Sequence, residues 1–148
     1  MGFIISDGGA TAGMSRRSGQ KNHQAKTFSS KKKALLAVEA GRAMKAQEPV
    51  VLRVGKLVDY TDYFVIMHGE STRQVQAIFE SIWQVISQTG IKPLGIEGER
   101  EGRWVVIDWD DVVIHIFYKE LRDFYELEKL WADAPRLKLP PEPTASEK

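Results

Sequence analysis

Asp108 and Asp110 form a D-x-D pair beside an apolar run, and Gly69-Glu70-Ser71 stands where such a run meets the start of a helical pattern. Two carboxylates on a strand suit Mg²⁺, and backbone amides at a helix start attract phosphate, so the pairing suggests metal-dependent nucleotidyl transfer. The fit is poor, because Glu70 places negative charge where a triphosphate would lie. Asp is also favoured in turns for conformational reasons alone, and that is the preferred reading of Asp108 and Asp110. His68 and His115 lie in apolar runs with no second His or Cys at ligand spacing, so a His bonded to a nearby carboxylate at the core margin is expected of His115. Alternation places His115 with Val113 and Phe117, opposite Ile114 and Ile116. Ser71 lacks a nucleophile-elbow frame and reads as a helix cap.

The aromatics carry more information. Trp104, Trp109, Phe124, Tyr125 and Trp131 are interspersed with Asp108, Asp110, Asp111, Asp123, Glu126 and Glu128. Such a surface is ill suited to phosphate and well suited to a basic protein partner. Glu97 to Arg103 reads as a solvated, charged turn.

The 148 residues have a formal net charge of +1, but the charge is divided. Residues 1–33 carry seven bases (Arg16, Arg17, Lys21, Lys26, Lys31, Lys32, Lys33) against Asp7, whereas the rest holds fourteen bases and nineteen acids. An acidic body disfavours direct RNA binding, which needs clustered Lys and Arg; the basic N-terminal stretch retains an rRNA contact as an option. With no Cys, disulfide frameworks, thiol nucleophiles and thiolate zinc sites are excluded. No apolar run nears the roughly 18 residues of a membrane span, so a soluble, cytoplasmic protein with no membrane association is expected.

The elements that must position these residues follow from periodicity and punctuation. Residues 1–30, rich in Gly and Ser, are expected to be a flexible basic extension, with Met14 a second candidate start; two Arg and no amphipathic stripe argue against a transit peptide. A helix is expected over 30–46, carrying Leu35, Leu36, Val38, Ala40 and Ala43, with Pro49 beyond it. Strands are expected at Pro49–Val54 and Tyr63–His68. Ser71-Thr72-Arg73-Gln74 is a capping box, followed by Val75, Ile78, Phe79, Ile82, Val85 and Ile86 at helical spacing and by Gly90 as terminator. Further strands are expected at 94–97, 104–107 and 112–117, with Trp109 and Asp110 central in a tight turn or within a slightly longer one. A helix from Lys119 carries Leu121, Phe124, Leu127, Leu130 and Trp131 as far as Pro135, and residues 136–148 read as a loose Pro-rich tail. The order implies one α/β domain over 31–135, a single mixed sheet of about five strands with packed helices.

Thr61-Asp62-Tyr63-Phe64-Val65-Ile66, Ser71 to Ile78, Glu97-Gly98, Trp104 to Asp108, Val112 to Phe117, Arg122 to Glu128 and Leu130-Trp131, in that order, resemble the ribosomal silencing factor family, RsfS or Iojap. The resemblance implies a nucleotidyltransferase-like fold without its catalytic site, hence no enzyme, metal or cofactor. It implies binding to the large ribosomal subunit, chiefly its protein uL-fourteen, and steric obstruction of small-subunit joining under nutrient limitation; organelle relatives act in large-subunit assembly. On that footing Trp104 and Trp109 are expected at the centre of the contact, Asp108, Asp110 and Asp111 opposite partner Lys and Arg, and Tyr63, His115, Arg122 and Tyr125 shaping the surface. The family usually has Gly where this chain has Asp110, and has no counterpart of the first 30 residues. An exposed strand edge or aromatic patch would invite a homodimer of the free protein.

Overall fold

The computed structural model describes residues 28–142, so residues 1–27 and 143–148, and the expectations that fall on them, lie outside the described residues. The chain forms α1 (Ser30–Ala43), β1 (Gln47–Arg53), β2 (Tyr63–Gly69), α2 (Thr72–Thr89), β3 (Gly95–Glu97), β4 (Trp104–Asp108), β5 (Val112–Tyr118), α3 (Lys119–Tyr125) and α4 (Leu127–Leu130). The five strands make one mixed sheet in the order β1-β2-β5-β4-β3, parallel only between β2 and β5. This is the α/β architecture expected.

Local chemistry sets the boundaries. The Ser29 hydroxyl accepts the Lys32 amide at 3.1 Å and starts α1. Ser71 accepts the Gln74 amide at 3.0 Å, but the Gln74 side chain reaches the Glu70 amide at 2.7 Å rather than that of Ser71, so the capping box is displaced by one residue. Gly90 ends α2 with φ +78°. Gly98, at φ +84°, passes so close to the Trp104 carbonyl that a side chain would collide with it, which fixes the β3–β4 connection.

Alternation divides the sheet into two faces. Val51, Val65, Met67, Val105, Ile107, Ile114 and Ile116 meet α1 and α2 in the larger core. Leu52, Phe64, Ile66, Val106, Val113 and Phe117 face the other way, with Leu121, Leu127 and Trp131 packed against part of that face.

Three expectations need correcting. The buried stripe of α1 is Lys33, Ala34, Ala37, Val38, Ala40 and Gly41, while Leu35 and Leu36 are only half-buried. The C-terminal helix breaks at Glu126, which adopts φ +48° and separates α3 from α4. The tail beyond residue 135 is not loose at its start: Arg136 bridges Leu52 across the edge of β1, the Leu137 amide donates to the Val51 carbonyl at 2.9 Å, and Leu137 and Leu139 pack on the core.

Candidate functional site

The expected site residues divide between the two ends and two faces of β4 and β5. Trp104, Val106 and Asp108 point to the open face, and Val105, Ile107 and Trp109 to the helical face. Trp109 is therefore 0% exposed, and its indole N–H donates to the Ile91 carbonyl at 2.8 Å. A side chain sealed beneath the helices meets no partner, so Trp109 is a core residue and not the centre of a contact.

Asp111 is likewise removed from the surface. Its Oδ1 lies 2.7 Å from Nζ of Lys33, whose ammonium also donates to the Trp109 carbonyl at 3.2 Å and stands 4.9 Å over the Trp109 ring. Lys33 is 3% exposed, although it ends the basic N-terminal run. The two residues at the tip of the β4–β5 hairpin are Asp110 and Asp111, enclosed by the Trp109 amide donating to the Val112 carbonyl at 2.8 Å, so Trp109 is not central in the turn. Asp110 has φ +69°, and its amide donates to Asp108 Oδ1 at 3.1 Å. The carboxylates of the D-x-D pair thus belong to a turn, Asp108 making an Asx-type bond that shapes it. Among the described residues no group of three or more His, Cys, Asp and Glu is arranged to hold a metal ion.

Asp108 and Asp110 are half-buried at this end of the open face. Burial, then Asp108 and Asp59, push the Tyr60 phenol above its ordinary pKa, which places Tyr60 beside the same acidic rim.

The aromatic end lies four residues along β4, about 13 Å away at the usual strand rise. The Trp104 ring lies tilted against Phe117 at 4.7 Å and Tyr125 at 4.9 Å between centroids, and its indole N–H donates to His115 Nδ1 at 3.2 Å. His115 sits on the face that alternation assigned, but its partner is an indole rather than a carboxylate. An N–H donor at Nδ1 requires a neutral ring with its proton on Nε2, and burial pushes the pKa of His115 down to about 3. His115 is a buried support for the aromatic cluster, not a contact residue.

Arg122 is also buried, at 5% exposure. It makes paired bonds to Glu128, Nε to Oε1 at 3.1 Å and Nη2 to Oε2 at 2.9 Å, and its Nη1 reaches the Gln47 carbonyl at 3.3 Å and His68 Nδ1 at 2.9 Å. Of the expected set, Trp104 (half-buried) and Tyr125 (50% exposed) remain open to a partner, and Asp108 and Asp110 are half-buried.

Sequence reasoning overlooked one surface residue, Leu130, and one buried one, Lys33. Phe124 is 75% and Leu130 71% exposed, and Phe124 lies 5.0 Å from Tyr125, which reaches Trp104, so α3 and α4 present an apolar ledge at this end. Phe124 is among the aromatics expected at a surface, whereas the helical spacing of Leu130 gives no sign of its exposure. Lys33 stood in a Lys run, yet it shares a stripe with Ala34, Ala37 and Gly41 at helical spacing, which was a usable signal. A cleft of about 830 Å³ between α1, the start of β1 and Pro140–Glu142 contains none of these residues. Among the described residues no helix is long and apolar enough to cross a membrane.

Residues 27–148 match the family model described as "Ribosomal silencing factor during starvation". The chain is 44% identical over 104 residues to the ribosomal silencing factor RsfS of Halalkalibacterium halodurans, covering 70% of this chain and 89% of that protein. It is 41% identical to RsfS of Bacillus subtilis over 105 residues, with the same two shares. A mouse protein named for mitochondrial assembly of the ribosomal large subunit is 36% identical over 93 residues, 61% of this chain and 41% of that one. Among solved structures, a protein of Chromobacterium violaceum superposes with a TM-score of 0.69 at 29% identity, covering 82% of this chain and 98% of that chain. One from Bacillus halodurans gives a TM-score of 0.63 at 42% identity, covering 70% and 94%. The match over most of the sequence and over the whole described fold shows that this chain belongs to the ribosomal silencing factor family.

Proposed function

We propose that the protein docks on the large ribosomal subunit, chiefly on its protein uL-fourteen, and holds off the small subunit, lowering translation in the cytoplasm when nutrients are short. Membership of the family supports the ribosomal role. The observation that carries the docking reading is the ledge of Phe124, Tyr125 and Leu130, three large apolar side chains at least half exposed, of which Tyr125 reaches Trp104. Exposed aromatics of this kind supply most of the affinity of an interface, while Asp108 and Asp110 at the far end of the face orient a basic partner and speed its approach. Occlusion requires no chemistry. A folded body of this size is ~25–30 Å across, enough to keep two subunits apart.

Large-subunit assembly is a second reading, favoured by the name of the mouse relative, and it would use the same docking. Sedimentation separates the outcomes. Purified large subunits are mixed with wild type, Tyr125→Ala or Asp108→Asn protein, small subunits are added, and joined ribosomes are resolved on a gradient. Tyr125→Ala is expected to lose about tenfold or more in affinity and to restore joining. Asp108→Asn, which keeps the oxygen that accepts the Asp110 amide, should slow association at low salt. If both variants pellet and block joining as wild type does, the proposed face is wrong. If wild type pellets without blocking joining, assembly is the better reading.

A further inference from the structure

We infer that Arg122 is a positioning residue, a clamp that sets the angle of the α3–α4 ledge and is complete only when His68 is neutral; the inference rests on the docking reading above. α3 has seven residues and α4 four, too few for either to persist alone, so their arrangement depends on tertiary contacts. The break between them at Glu126 leaves the angle to be set from outside the helices. Arg122 supplies that restraint. From α3 it grips Glu128 of α4 with two bonds, the Gln47 carbonyl of β1 with a third and His68 of β2 with a fourth. The guanidinium is buried beneath the ledge, so it acts through Phe124, Tyr125 and Leu130 and meets no partner itself.

The fourth bond depends on protonation. A guanidinium has donors and no acceptor, so His68 Nδ1, 2.9 Å from Arg122 Nη1, must offer its lone pair and carry the ring proton on Nε2. A second proton would set an N–H against an N–H at this point, and a positive ring against a positive guanidinium. The charged neighbours of His68 come from every side: Arg122 and Lys119 on α3 oppose charging, while Glu48 on β1 and Glu70 after β2 favour it. Glu70 Oε2 is 4.0 Å from His68 Nε2 and largely exposed, a weak counterweight. Burial first, and Arg122 second, hold the pKa of His68 below its usual value. A detached helix pair would return the ring to water and its ordinary affinity for protons, so acidification below the usual value favours detachment.

The test uses the full chain and two readouts, amide hydrogen exchange of residues 119–131 in the free protein, corrected for intrinsic rates, and pelleting with large subunits, each at pH 7.5 and 5.5. Linkage of one proton allows opening to rise at most about tenfold per pH unit below 6.5. Wild type should open more at pH 5.5 and lose large-subunit affinity in step. His68→Gln keeps an acceptor oxygen without a titrating group, so both readouts should stay flat. Arg122→Lys forfeits the paired bonds and should open the segment already at pH 7.5; should that variant fail to fold, the His68→Gln comparison decides alone. Opening that is independent of pH in wild type, or that rises equally in His68→Gln, overturns the clamp. Exchange that behaves as expected while no form pellets at either pH refutes the docking reading and leaves the clamp standing.

Discussion

Lys33 offers a severe test of the packing argument, because an ammonium at 3% exposure must be held by what surrounds it. At 2.7 Å from Asp111 Oδ1 and an effective dielectric of about 20, the direct attraction is about 6 kcal/mol. Desolvating the two ions costs about as much, so the pair as a whole contributes little net stability. Removing one partner is different. Lys33→Met keeps a long unbranched side chain but leaves the Asp111 carboxylate and the Trp109 carbonyl without their donor, at about 3–5 kcal/mol. The Asp111 side chain is 12% exposed and admits some water, which favours the lower end, about 3 kcal/mol. For a folded body of this size that is a fall in Tm of about 12 °C. Thermal and urea unfolding should be measured for Lys33→Met, Asp111→Leu and the double variant. The double variant should recover at least 2 kcal/mol relative to the sum of the singles, since neither ion is then left alone. A loss under 1 kcal/mol in Lys33→Met, or a coupling below about 0.5 kcal/mol, would refute the description of this pair as a buried lock between α1 and the β4–β5 hairpin.

Two further outcomes are expected. Asp110→Gly should stabilise the protein by about 0.5–1 kcal/mol in chemical denaturation, because φ +69° strains a residue with a Cβ and suits Gly; a loss of stability would mean that the aspartate side chain matters more to the turn than its backbone does. His115 has a folded pKa of about 3, well below its unfolded value near 6.5, so its penalty is absent above pH 6.5 and grows as pH falls towards 3. By pH 4.5 it should remove roughly 2–3 kcal/mol, and His115→Gln should show a correspondingly shallower loss between pH 6.5 and 4.5; parallel curves for the two proteins would contradict a neutral, buried His115.

Where the sequence was legible, local and tertiary preferences agreed. α2 is marked by Ser71, an apolar repeat and Gly90, and all three do in the fold what their types suggest. The apolar runs of β2, β4 and β5 were legible as buried strands for the same reason. Trp109 was misplaced because two tryptophans near each other in sequence were assigned one surface, although the odd separation of 104 and 109 puts them on opposite sheet faces. Residues 136–139 read as loose from their prolines, yet Leu137 and Leu139 alternate with Arg136 and Lys138 in the strand manner and lie on the core. The break at Glu126 had no such signal: neither Gly nor Pro stands there, and Leu121, Phe124, Leu127 and Leu130 keep an unbroken helical spacing. The paired bonds of Arg122 to Glu128 and the packing of Leu127 and Trp131 on the sheet bend the chain, and neither can be read before the sheet exists.

The buried Lys33 also alters what the divided charge can mean. A count of seven bases in residues 1–33 treats them as one basic arm, but Lys33 is neutralised inside the fold and Lys31 and Lys32 are exposed on the first turn of α1. Residues 1–27 then hold Arg16, Arg17, Lys21 and Lys26 against Asp7. If those four bases contact rRNA phosphates, their removal should reduce the slope of log affinity against log salt by at most about 3–4, at 0.7–0.9 per contact. The deletion must end at residue 27, because one that ran to 33 would remove the Ser29 cap and the partner of Asp111 and so confuse unfolding with lost RNA contact. An unchanged salt slope in the shorter deletion, with affinity intact, would assign the whole of ribosome binding to the folded body and leave the basic arm with no part in it.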